Sequence, residues 1–405
     1  MDIQALNLSE KLVLIEKEAL AELRRWIGGR VLSQGDKGYD EARKIWNAMI
    51  DRKPALIIEC TGTADVIYAV RFAKKHQLLL SVRGAGHNIA GRALQDNVLL
   101  IDLSHLRTVF VDPDKKIMVV SPGATLADVD HEAQAYGLAL PVGINSTTGI
   151  SGLTLGGGFG WLSRSLGMTV DNLLSVEVVT VEGQRLLCSQ DHNSDIFWAM
   201  TGGGGNFAIA TSFTFKLHPV GPEVMCGPVV FPMEDAEKVL ANYRQFCHSA
   251  PNEVSAWAVI RHAPPFPFID SSYHGRPVLL LVGIYNGPMD KGKTELMHLK
   301  ELGKPLGDGI APHRFTDFEK AFDALLTPGS RNYWKSHNLR KIDDQLIKVL
   351  VEYGQKMPGT LSEIFIAQMG GKVNTVPSNA TAYPHRNVEF IMNVHTRWEK
   401  EEDDK

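Results

Sequence analysis

At 405 residues, 44% of them hydrophobic, the chain exceeds the length at which a single core keeps growing, so two or three domains with ample buried apolar surface are expected. A formal net charge of -4 with no basic tail or arginine stripe argues against a nucleic-acid partner. Cys60, Cys188, Cys226 and Cys247 form no CxxC pair, and no apolar run or leader-like segment reaches the membrane; the reading is therefore no metal, no membrane and a cytoplasmic location.

In chain order, Leu12, Ile15, Ala19, Leu23 and Trp26 stand near helical spacing and predict a helix over 9–26 with Ser9 as its N-cap. From Pro54 the pattern changes to a short strand at 55–58, a helix over 63–76 and a second strand at 78–82, the order of a βαβ unit. That strand runs into Arg83-Gly84-Ala85-Gly86-His87. Strands follow at 99–103 and 117–120, separated by the turn signal Asp112-Pro113-Asp114, then a helix over 125–136. Segments 176–180 and 184–187 flank Glu182-Gly183 as a hairpin. Beyond a boundary near 217–221 come a strand at 278–284, helical segments at 290–302 and 315–326, and abundant aromatics, the pattern of an α+β domain with a sheet and covering helices.

Three glycine clusters carry the chemistry. The run from Thr147 to Gly160 holds Gly156-Gly157-Gly158 between apolar neighbours, which is neither linker nor core helix. Such a run lets backbone approach a ligand closely, and successive N–H groups suit phosphate oxygens. Gly202-Gly203-Gly204-Gly205-Asn206 repeats the theme, and three such loops suggest an extended dinucleotide. The Rossmann pattern fails, because Ser163 stands where Gly158-Phe159-Gly160 would need a third glycine, and no phosphate-loop lysine motif is present. His87, flanked by Gly86 and Asn88, reads either as a turn histidine or as a nucleophile toward a cofactor carbon. Arg83 reads either as an ion-pair partner or as the counter-charge to a phosphate or a reduced flavin.

Arg83-Gly84-Ala85-Gly86-His87-Asn88, the stretch Leu99 to Ser104, Pro141 to Gly160 and Gly205-Asn206-Phe207 together resemble the berberine bridge enzyme-like group of FAD-linked oxidases, within the fold of vanillyl-alcohol oxidase and p-cresol methylhydroxylase. The resemblance is dense over 50–217 and thinner through Asn332 to Ser336 and Ala382 to Trp398. It implies an α+β protein: a helical extension at 1–45, a p-cresol methylhydroxylase-type FAD-binding domain at 46–217, and an α+β substrate domain at 218–405 built on an antiparallel sheet. It makes His87 the attachment point of the FAD 8α carbon and puts Gly84, Ala85, Gly86 and Asn88 at the pyrophosphate, with Arg83 and Gly91 in the same loop. Gly143, Thr147, Thr148, Gly149, Gly152, Leu155, Gly157, Gly160, Gly205, Asn206 and Ile209 are the further FAD contacts it implies.

Departures from the pattern matter as much. Asn145 stands where many relatives place a second, cysteinyl attachment, so one covalent bond to FAD is expected. Thr148 occupies the position associated with oxygen access, which leaves oxidase and dehydrogenase behaviour both open, oxidase preferred. Relatives continue past the equivalent of Trp398 into a segment with an assisting tyrosine, whereas this chain ends at Lys405; the substrate domain is accordingly expected to be incomplete, and the catalytic residues are left unassigned. Tyr383, His385, Glu389 and His395 read as ordinary surface or packing groups before they read as a base. The implied activity is oxidation of an alcohol or activated C–H of a small organic or natural-product substrate by hydride transfer to flavin N5, with O2 as reoxidant. A sugar oxidase, a dehydrogenase using another acceptor, and a flavin-free interaction protein are the alternatives; Trp257, Phe266, Phe268 and Tyr273 favour an apolar aromatic pocket, and a homo-oligomer stays open.

Overall fold

Every residue of Leu56–Glu59 is buried, as a strand covered on both faces requires. In the computed structural model, which describes residues 2–404, this strand lies parallel to Leu99–Asp102, which is in turn parallel to Leu80–Arg83. The helix Thr63–Lys75 makes the crossover, its Val66, Ala69, Val70 and Ala73 facing the sheet. The expected strand, helix, strand order is therefore present, with Leu99–Asp102 inserted between the two strands.

The N-terminal segment differs from its sequence reading. Ile3–Leu6 and Leu12–Ile15 pair as an antiparallel hairpin, and the helix spans only Lys17–Trp26, so Ser9 caps nothing. Leu12, Val13, Leu14 and Ile15 are consecutive apolar residues that satisfy a two-residue period as readily as a helical one; Ile15 is buried while Leu12 and Leu14 are exposed. Nor is the stretch before residue 46 purely helical, since Val31–Leu32 joins the first sheet as an edge strand against Leu56–Glu59.

A second, five-stranded sheet is antiparallel throughout, in the order Arg185–Ser189, Leu173–Val179, Ile209–Lys216, Ile117–Val120, Val109–Asp112. The turn at Asp112-Pro113-Asp114 joins Val109–Asp112 to Ile117–Val120; Leu99–Asp102 belongs to the other sheet. The helix Leu126–Gln134 starts at Thr125 with a full capping box, Thr125 and Asp128 each satisfying the other's backbone N–H.

The third sheet has eight antiparallel strands. Val254–His262 shows its logic: Ala256, Ala258 and Ile260 join a core beneath the helices Ala236–Ser249 and Asp344–Gln355, while Trp257 and Val259 face the opposite way into a core shared with Trp161, Leu162, Met168 and Val170. That period of two buries both faces of the sheet, one under helices and one against the glycine-rich half of the molecule. The result is an α+β protein in which the half that carries the glycine loops meets a separate sheet-based half. Among the described residues no helix is long and apolar enough to cross a membrane, and the four cysteines are buried and unpaired.

Candidate functional site

The strand Leu80–Arg83 ends at Gly84, and the turn through Gly86, at φ +73°, needs glycine to bring His87 against the ring of Trp46. The two ring centroids are 4.9 Å apart. His87 Nε2 lies 2.7 Å from Thr147 Oγ1 and Nδ1 lies 3.5 Å from Thr148 Oγ1. The Thr147 hydroxyl donates to Asn145 Oδ1 at 2.6 Å, so the network assigns the imidazole proton to Nε2 and leaves the Nδ1 lone pair with only the long contact to the Thr148 hydroxyl. Burial lowers His87 to about 4, which keeps the ring neutral at pH 7 and that lone pair available.

The first two glycine clusters interlock. A Cβ on Gly84 would stand 2.6 Å from Ser151 Oγ, and one on Gly149 would stand 2.9 Å from Ala85 Cβ. From this junction the helix Ile150–Leu155 runs for about 9 Å to the third cluster, where the Gly204 N–H donates to Leu155 O at 2.8 Å. Midway, nothing lies within 4 Å of where a Gly152 Cβ would be, and at the far end Gly205 and Asn206 are exposed. One line of open backbone thus connects His87, Thr147, Thr148, Gly152, Leu155, Gly205 and Asn206. A neutral imidazole at one end and exposed glycine backbone at the other fit an extended ligand of FAD's chemistry.

Several other glycines of these loops have protein groups on their open side. Gly143 abuts Leu153 and Gly160 abuts the Val142 carbonyl; Gly157 and Gly202 are both filled by Tyr383; Gly91 faces Ile50. Ile209 is buried at the start of its strand. Asn88 is exposed and accepts the Arg92 N–H. Arg83 is committed to a buried pair with Asp102 and to the Lys44 carbonyl at 3.1 Å, so its guanidinium is a structural partner of Asp102 and is not directed at a phosphate.

The large sheet carries a buried polar row beside these loops. Arg261, Glu363, His395 and Trp334 stand directly opposite one another on four adjacent strands, forming one cross-strand row. Glu363 accepts from Arg261 Nη1 at 2.9 Å and lies 3.2 Å from His395 Nδ1, and Trp334 stacks on His395 at 3.7 Å. Trp334 meets Trp46 edge-on at 5.4 Å, and Trp46 stacks on His87, so the row reaches the glycine loops. Burial alone would raise Glu363, but the hydrogen bond from His395 and the charges of Arg261 and Arg397 outweigh it and hold the carboxylate below its ordinary range. Buried polar atoms without a partner in this neighbourhood are Trp46 Nε1, Trp334 Nε1, His395 Nε2, Arg261 Nε, Arg397 Nε, Asn332 Oδ1 and Asn393 Oδ1. Buried polar atoms are nearly always satisfied, so their concentration here points to a ligand. Asn47 fastens the two halves together, its side chain exchanging hydrogen bonds with the Asn332 backbone at 2.9 and 3.0 Å and donating to Ile89 O at 2.8 Å.

Residues 54–189 match the FAD binding domain family. An FAD-linked oxidoreductase of Dictyostelium discoideum is 31% identical over 369 residues, spanning 90% of this chain and 78% of the relative. (R)-6-hydroxynicotine oxidase of Paenarthrobacter nicotinovorans is 27% identical over 351 residues, covering 86% and 73% of the two chains. In structure, berberine bridge enzyme-like protein 1 of Physcomitrella patens superposes with a TM-score of 0.83 at 23% identity, over 95% of this chain and 85% of that one.

Proposed function

This chain belongs to the FAD-linked oxidoreductases, with the berberine bridge enzyme-like fold of the vanillyl-alcohol oxidase and p-cresol methylhydroxylase superfamily, and on that premise we propose that its FAD is joined to the protein once, through His87. The observation that carries this reading is the neutral imidazole whose Nε2 is held by Thr147. Asn145, buried and bonded to Thr147 and to the Leu326 carbonyl, offers no thiol for a second bond. FAD, when bound, supplies the hydride acceptor at N5 and returns its electrons to O2.

The chain's own groups then have separable tasks. The open backbone around Gly152 and Gly205 binds the extended cofactor, the residues 46–217 forming its domain. The inner face of the large sheet, within 218–405, receives an alcohol or activated C–H of a small organic substrate. His395, unpartnered at Nε2 and held by Glu363 at Nδ1, is the group to which this reading gives the proton that an alcohol loses as its hydride leaves. Glu363 stays anionic and stabilises the charged ring that results, the role of an orienting carboxylate behind a histidine base.

The test is the absorbance spectrum of the purified protein before and after acid precipitation. Yellow colour that stays in the acid pellet, and leaves it in His87→Ala, supports the reading. Flavin that washes into the supernatant of the unaltered protein overturns the covalent assignment, and a protein that takes up no FAD on reconstitution overturns the cofactor assignment.

A further inference from the structure

On the inner face of the large sheet lies a cavity of about 370 Å³, at the small end of the range for small-molecule sites. Its floor is Val259, Leu280 and Val282, and its walls include the stacked pair Phe266 and Phe268, 4.9 Å between ring centroids and 16° from parallel, with Phe318 and Phe322 among the other lining rings. Side chains able to hydrogen bond are few. His313 and Asp317 are exposed, and Arg261, 5% exposed, is the one buried charged residue of the lining.

Arg261 has unused capacity. Its Nη1 is bound to Glu363, but its Nε–H has no partner. Two guanidinium groups act on the one buried carboxylate here: Arg261 is bonded to Glu363, and Arg397 acts on it through its charge while its hydrogen bonds go to neutral oxygens of Leu325, Thr327 and Ser330 and the exposed Glu399 also acts on Arg397. A buried excess of positive charge with a free N–H calls for an anionic acceptor, and flat aromatic walls call for a flat aromatic body.

We infer that this cavity binds a mono- or bicyclic aromatic molecule carrying an anionic oxygen, a carboxylate or phenolate, that accepts from Arg261 Nε while the rings lie between the phenylalanines. The inference deepens the oxidoreductase reading by naming its substrate class, and rests on that reading only for the claim that the bound molecule is the one oxidised. An oligosaccharide fits poorly, because its many hydroxyls would face phenylalanine and aliphatic side chains with almost no partners. Asp317 is the one carboxylate of the lining, and its exposure screens its repulsion of an anion.

Equilibrium dialysis of the protein as purified, with 2-naphthoate, its neutral counterpart 2-naphthamide, and cellobiose as probes, tests this directly. We expect 2-naphthoate to bind at least tenfold more tightly than 2-naphthamide, and cellobiose not to bind. Arg261→Lys, which keeps the charge and loses the Nε fork, should weaken naphthoate at least fivefold while leaving naphthamide within twofold; Phe266→Ala, at a half-exposed wall position, should weaken both several-fold. Naphthoate and naphthamide binding equally, cellobiose binding in their place, or Arg261→Lys and Phe266→Ala both leaving naphthoate unchanged in folded protein would overturn the inference. The flavin reading is checked separately by repeating the dialysis on protein freed of flavin: naphthoate selectivity in a protein that takes up no FAD keeps the binding site and removes the oxidoreductase reading.

Discussion

Asp130 and Glu319 are 2% and 3% exposed, on the helices Leu126–Gln134 and Phe315–Glu319 that meet where the two halves of the protein join. Asp130 Oδ1 has no hydrogen-bond partner. Burial pushes Asp130 up to about 7, with the Lys320 charge opposing it; burial, and then the proximity of Asp130 and Asp323, raise Glu319 well above its ordinary value. Replacing Asp130 by Asn imitates the protonated side chain and removes its titration. A group raised on folding favours the native state fully only below its unfolded pKa. As pH climbs from about 4 toward 7 the unfolded chain ionises at this position while the folded one keeps its proton. Each pH unit then removes up to about 1.4 kcal/mol, on the order of 4 kcal/mol in all, and the loss levels off above 7. Urea unfolding of both proteins from pH 4 to 8 should show near-equal stability at pH 4 and Asp130→Asn ahead by several kcal/mol at pH 8. Parallel stability curves across that range would refute the buried-acid argument.

The His87 ring titrates in the opposite sense. Its folded pKa, lowered by burial to about 4, gives flavin-free protein stability that is present above 6.5 and falls as pH drops toward 4, by up to about 3 kcal/mol; thermal melts of flavin-free His87→Gln should lack that slope. Gly202→Ala places a Cβ 2.6 Å from the Tyr383 backbone nitrogen at a backbone φ of +120°, and should cost roughly 2–5 kcal/mol in chemical denaturation. Glu363→Gln leaves Arg261 and His395 without their anion in a buried setting and should cost about 3–5 kcal/mol, with a fall in kcat larger than any change in KM as the activity readout. Arg386, bonded twice to Asp171 at 2.7 and 2.9 Å with both side chains buried, should cost a similar amount as Arg386→Met, without changing how the protein discriminates naphthoate from naphthamide.

What the sequence disclosed follows the range of the interactions involved. The strand, helix, strand order of 54–82, the helix expected over 125–136 and the hairpin at Glu182-Gly183 rest on neighbours in sequence, and each is found. His87, Thr147 and Thr148 were drawn together by resemblance and lie together in space. The hairpin Ile3–Leu6 with Leu12–Ile15 was missed because four adjacent apolar residues carry no unique period, and Val109–Asp112, half-exposed at the edge of its sheet, because it lacks the continuous buried run that marks Leu56–Glu59 and Leu99–Asp102. The Arg261, Glu363 and His395 row could not be read at all. Its members are separated by 102 and 32 positions, and only the order of three strands, which local pattern does not encode, puts them side by side. Nor could composition tell which glycines face open space, as Gly152 does, and which are merely filled by a neighbour, as Gly157 is by Tyr383.

That distinction between filled and open applies to charges as well. Arg164 is as buried as Arg261, 5% exposed in each case, yet its donors reach the Val254 carbonyl at 2.7 Å, the Met369 carbonyl at 2.6 Å and the Ala250 carbonyl at 3.1 Å. Nothing on it is left over, and it works as a strut between the short helix Ser163–Leu166 and the large sheet. Arg261 keeps a free Nε, and the His395 one carboxylate away keeps a free Nε2. A buried ion cluster is weak evidence for stability, since well-packed apolar residues do as well or better. One that also leaves donors unpaired is costlier still. The large sheet sustains that cost in a row that begins at an aromatic cavity and reaches, through Trp334 and Trp46, the imidazole of His87. The unpartnered Nε of Arg261 and Nε2 of His395 lie on that row, between the cavity and His87.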